Sequence, residues 1–170
     1  MSEYNKELRM SNYYTKALEF YKRAITYDIC CQVTKGSIRA KAYFMYSCLQ
    51  YLLLHELDKV GYELNEEEIP FISDVINDEP KILRHLSSDL KEACLNFADY
   101  LEYCIGNVDS LNIIDEQNCL TIICFLHNYF KSVHKSDYDE SLTIFCGGVY
   151  HDGNVYYDSI CLRRNDVNED

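Results

Sequence analysis

The sequence predicts a mainly α-helical fold, a bundle of four to five helices around one central buried helix, followed by a C-terminal β-hairpin. Three observations lead there. In residues 37–62 apolar and aromatic side chains fall on nearly every face of a helix, the pattern of an element surrounded by others. Leu83, Leu86, Leu90, Ala93, Phe97, Leu101 and Cys104 recur at spacings of three and four, which lays them along one side of a helix. Near the C-terminus two β-prone runs, 142–146 and 155–161, flank His151-Asp152-Gly153-Asn154. Asp-Gly between such runs is a hairpin signal.

Taken in order, residues 1–10 read as a polar arm. Between 11 and 32, Tyr14, Ala17, Leu18, Tyr21, Ala24 and Ile25 share one amphipathic face, so a first helix is expected to pack on the central one. Lys35 and Gly36 supply the break between them. The central helix is expected to start at Ser37, whose hydroxyl suits an N-cap, and to stop at Gly61, which takes a left-handed conformation without steric cost. An acidic segment, Glu63 to Glu68, leads to a short helix within 69–76, where Pro70 suits the first turn. Asp78-Glu79-Pro80 then opens a long helix ending near Gly106, and the loop 107–112 leads to a last helix over 113–133.

Past Lys135 a polar loop precedes the hairpin. An isolated hairpin is marginal in water. This one therefore lies on the helices, extends a partner's sheet, or pairs with its copy in a dimer. With no internal repeat and no linker, residues 1–170 read as a single domain: arm 1–10, helical bundle 11–134, hairpin 141–162 and acidic tail 165–170.

Composition narrows the function. A hydrophobic content of 48%, with 14% aromatic residues, suffices for a real core. No uncharged apolar run is long enough to span a bilayer, and the polar start MSEYNKELRM is unlike a signal peptide. A soluble, cytoplasmic protein without a membrane partner is the expectation. Nine cysteines, odd in number and mostly inside helical apolar stripes, read as reduced core thiols. The net charge of −12 opposes a phosphate backbone and argues against direct nucleic-acid binding. It suits attraction to a basic protein surface, including one that normally holds nucleic acid, or serves solubility alone.

Motifs that carry chemistry are sparse. Cys119, Cys124, His127 and His134 form the closest metal-like cluster, but no Cys-x-x-Cys pair accompanies them, so no metal or other cofactor is expected. Cys146 stands before Gly147-Gly148 and five residues before His151, an order compatible with a nucleophile and its base. The same glycines read equally well as a bulge in a strand. Phosphate-cradling, G-x-S-x-G and H-E-x-x-H signatures are missing. Glu66, Glu67 and Glu68 favour a helix dipole in a purely structural role, or face a basic partner. Sixteen tyrosines stand against no tryptophan, and tyrosine joins apolar area to a hydroxyl at low entropic cost. Tyr150, Tyr156 and Tyr157 on the hairpin, with Asp152 at its turn and the three glutamates, form the expected partner-binding set.

Ser37-Ile38-Arg39-Ala40-Lys41-Ala42-Tyr43-Phe44, running into Leu52-Leu53, resembles the Arg-Ala-Tyr-Tyr helix of the HEPN family of small helical bundles found in toxin–antitoxin and antiviral systems. Ala98-Asp99-Tyr100, followed by the helix to Phe130, extends the resemblance over about half the chain. Active members of that family cleave RNA with an Arg followed four to six residues later by a His. No arginine here has that spacing; Arg84 and His85 are adjacent. The resemblance therefore implies a non-catalytic member, and the hairpin lies outside its helical pattern. The expected function is a non-catalytic, acidic protein-binding module of inhibitor or immunity type. The alternatives are a helical-bundle ribonuclease or nucleotide-handling enzyme using Arg84, His85 or His127, and a structural homodimer.

Overall fold

The structure, a computed structural model, describes residues 3–30, 32–61, 71–78 and 80–133. They form α1 (Glu3–Cys30), α2 (Lys35–Lys59), α3 (Ile72–Asp78), a 3-10 helix (Pro80–His85), α4 (Ser88–Asn96), α5 (Ala98–Gly106), a 3-10 turn (Val108–Ser110) and α6 (Ile113–Val133). The mainly helical architecture expected from the sequence is present. The predicted hairpin 141–162 and tail 165–170 lie outside the described residues.

Helix α2 is the hub. Sixteen of its 25 residues are buried, and it touches α1, α4, α5, α6 and both 3-10 segments. Its most extensive partner is α1, which supplies Ala17, Leu18, Tyr21, Ala24 and Ile25 to the core, as their spacing predicts. An aromatic seam reinforces this pair: Phe20 of α1 stacks on Tyr51 of α2 with centroids 5.7 Å apart, and Phe44 receives Tyr27 and Phe20.

Two boundaries differ from the sequence reading here. Residues 3–10 are not a loose arm but the first turns of α1. Helix α2 starts two residues before Ser37, so Lys35 and Gly36 belong to its first turn. The N-cap is Thr34, whose hydroxyl accepts from the Ser37 N–H at 3.0 Å while the Ser37 hydroxyl accepts from the Thr34 N–H at 2.8 Å, a reciprocal capping box. At the other end Gly61 has φ +76° and closes the helix as expected.

The long helix expected from Asp78-Glu79-Pro80 to Gly106 is in fact a 3-10 helix followed by α4 and α5. Ser87 caps α4, and its N–H and hydroxyl are both taken by the Glu56 carboxylate of α2, at 2.7 and 3.0 Å. Phe97 marks a second bend, with α5 restarting from its carbonyl. Leu86, Leu90, Ala93, Leu101 and Cys104 remain buried through both interruptions, so the apolar stripe survives while the helix does not.

Candidate functional site

The chain buries carboxylates and supplies them with tyrosine hydroxyls. Tyr129 of α6 donates to Glu56 at 2.8 Å, and Tyr100 of α5 donates to Asp115 at 2.5 Å. Tyr46 of α2 donates to Glu102 of α5 at 2.6 Å. Burial first, and the hydrogen bond to a carboxylate with it, pushes the hydroxyls of Tyr46, Tyr100 and Tyr129 above the ordinary tyrosine range, so each remains a donor. One base joins this interior. Lys41 of α2 pairs with Glu116 of α6, their side chains 2% and 1% exposed.

Of these carboxylates Glu102 borders an open groove. The groove lies between α2, α3 and α5, has a volume of about 450 Å³, and is lined among others by Tyr43, Tyr46, Phe71, Ser73, Asp74 and Glu102. Its shape follows from the local sequence. Tyr46 reaches across from the buried side of α2 and accepts from the Ile72 N–H at 3.0 Å, which docks the start of α3 beside α5. Ser73, the next residue, then places its hydroxyl 3.2 Å from Glu102 Oε1 and 3.4 Å from Oε2. Tyr43, one turn before Tyr46, and Phe71, just before α3, stand at the groove 52% and 59% exposed.

Electrostatically the groove is one-sided. Among the described residues its lining holds two carboxylates, Glu102 and Asp74, and no Lys, Arg or His. Among the described residues no Lys or Arg pairs with either acid. Arg39, whose Nε–H donates to the Ile105 carbonyl at 2.8 Å, is not part of the lining. Carboxylates between apolar walls attract a cation more strongly than the same charges on an open surface.

The residues singled out from sequence fall elsewhere. Glu66, Glu67, Glu68, Tyr150, Asp152, Tyr156 and Tyr157 lie outside the described residues, as do Cys146, His151 and His134. The charge argument belongs largely to those segments: residues 62–70 contain four glutamates and no base, and residues 134–170 contain eight acids and three bases. Arg84 and His85 are exposed at the end of the 3-10 helix, whereas His127 is fully buried, its Nδ1 3.0 Å from the Tyr21 hydroxyl. The structure does not gather these three on one accessible face. Among the described residues no group of three His, Cys, Asp or Glu side chains is arranged to hold a metal ion, and no helix is long and apolar enough to cross a membrane.

Glu102 and Asp74 were not legible as site residues. Nothing in their local sequence separates them from other surface acids, because the groove exists only once α3 folds back onto α2 and α5. Tyr43, within the apolar and aromatic stretch 37–62, carried a local hint, as an aromatic residue on the central helix. Compared with protein-family models, curated proteins and solved structures, the chain matches none.

Proposed function

We propose that the chain is a non-catalytic protein-binding module, of inhibitor or immunity type, that engages a basic surface of a partner protein. The observation that carries this reading is Glu102: a half-buried carboxylate held in place by Tyr46 and Ser73, without a base of its own among the described residues, at a groove walled by exposed aromatic rings. Such a group is already oriented before a cation arrives, which lowers the ordering cost of binding. The acidic segments 62–70 and 134–170 add long-range attraction, so the whole chain steers toward positive partners. The same reading keeps the chain with HEPN-like helical bundles as a member that does not cleave RNA.

The test is retention of partners from an extract of the native cells by the tagged chain at low and high salt, with the retained proteins identified by mass spectrometry. The expected result is one basic protein held at low salt and released at high salt. Reversing Glu66, Glu67, Glu68 and Asp152 to lysine is expected to weaken its retention. Retention of nothing, or of nucleic acid alone, overturns the proposal.

A further inference from the structure

We infer that the groove between α2, α3 and α5 is a receptor for a guanidinium group, the side chain of an arginine presented by the partner. This deepens the protein-binding reading and rests on it. The lining sets the chemistry of the occupant: two carboxylates without a base call for a cation, and Tyr43 and Phe71 offer flat rings beside it.

Three features favour arginine over lysine. First, among the described residues Glu102 Oε1 already accepts from Tyr46 at 2.6 Å and from Ser73 at 3.2 Å, whereas Oε2 has only the longer contact to Ser73 at 3.4 Å. The free acceptor capacity is therefore divided between Oε2 and the exposed Asp74. A planar fork with five donors spans separated acceptors, while an ammonium acts as a single point. Second, a guanidinium stacks on aromatic faces in a way that an ammonium does not. Third, it is the more weakly hydrated cation, so entering a half-enclosed groove costs it less.

Glu102 is also kept ready for this role. Tyr46 is itself positioned by the Ile72 N–H, so the carboxylate is fixed from α2 and from α3 at once. Asp74 lines the same groove as Tyr46 and Glu102, so both negative charges face one cavity.

The experiment uses the full chain, labelled with nitrogen-15, titrated with acetyl-Gly-Arg-Gly-amide and followed by the amide resonances of Tyr46, Ser73, Glu102 and Gly106. Parallel titrations use the same tripeptide with lysine and with citrulline, which keeps the shape of arginine and removes its charge. The expected result is saturable shifts with the arginine peptide, weaker ones with lysine and none with citrulline. Glu102→Gln is expected to weaken arginine binding about tenfold or more, since it removes a charged acceptor. Phe71→Ala, at an exposed position that carries no core packing, is expected to weaken it as well and stands in if Glu102→Gln does not fold.

Equal binding of citrulline and arginine overturns the inference, as does binding unchanged in both variants or absent from the native chain. Binding that emerges only after Arg163 and Arg164 are replaced by glutamine also overturns it, because the chain's own tail is then the occupant. The two levels separate cleanly. Salt-sensitive retention of a basic protein that is indifferent to Glu102→Gln and Phe71→Ala removes the arginine site and leaves the protein-binding function. Arginine-peptide binding with no partner retained does the reverse.

Discussion

Lys41 and Glu116 form an ion pair in the interior of the bundle, joining the central helix α2 to α6 with almost no exposure of either side chain. Each charge was taken out of water, and each offsets part of the other's desolvation cost. Lys41→Met is therefore expected to cost about 3–5 kcal/mol, because it leaves the Glu116 carboxylate buried without its cation. Lys41→Met combined with Glu116→Leu is expected to recover most of that loss. Urea unfolding of the two single variants and the double variant measures the coupling directly. Additive losses would show that the pair contributes nothing as a pair.

How much of this was visible beforehand depends on the range of the determining interaction. The all-round apolar pattern of α2, the bounds of α6 and the stop at Gly61 are local and were read correctly. The N-cap of α2 lies three residues before the one expected, because Thr34 and Ser37 both carry capping hydroxyls, and only the geometry shows that Ser37 is the partner rather than the cap. The break at Ser87 left no trace in the periodicity, since Leu86 and Leu90 stay in phase across it. What fixes it is Glu56, 31 residues earlier in the chain. The pairing of Lys41 with Glu116 is equally non-local: the two lie 75 positions apart and meet only when α6 packs on α2.

The Glu56 junction gives a second stability test. Its carboxylate serves the Ser87 N–H, the Ser87 hydroxyl and the Tyr129 hydroxyl together. Ser87→Ala removes the cap of α4 and is expected to cost about 1 kcal/mol. Glu56→Ala strands donors on two elements and is expected to cost about 3 kcal/mol or more. Thermal unfolding followed by circular dichroism ranks the two, and a larger loss for Ser87→Ala would refute the assignment of Glu56 as the junction.

Alkaline pH is expected to destabilise the fold. Burial, aided by the nearby Glu56 carboxylate, pushes the Cys94 thiol up to about 12 from an ordinary value of 9.0. Between these values the unfolded chain releases a proton that the native chain keeps, so stability is fully present below pH 9 and is lost as pH rises toward 12. A single such thiol lowers stability by about 1.4 kcal/mol per pH unit in that window. Cys48, raised by burial, and Cys119, raised by its contact with the Cys104 thiol and then by burial, act in the same direction, whereas Cys104, lowered by the same contact, opposes them. Urea midpoints measured from pH 8 upward check the slope, which Cys94→Ala is expected to make shallower.

The same burial sets the order in which the thiols react. Only the thiolate attacks an alkylating reagent, and a buried thiol is hard for the reagent to reach. Cys48, Cys94, Cys104 and Cys119 are buried and unbridged, whereas Cys124 is half-exposed on α6. Brief treatment of the native chain with iodoacetamide, followed by peptide mass spectrometry, is therefore expected to mark Cys124 well before those four. In urea the five peptides are expected to label at similar rates, which shows that structure rather than sequence imposes the order. Early labelling of Cys94 in the native chain would mean that α4 opens readily from α2, and that the Glu56–Ser87 contact does not hold it.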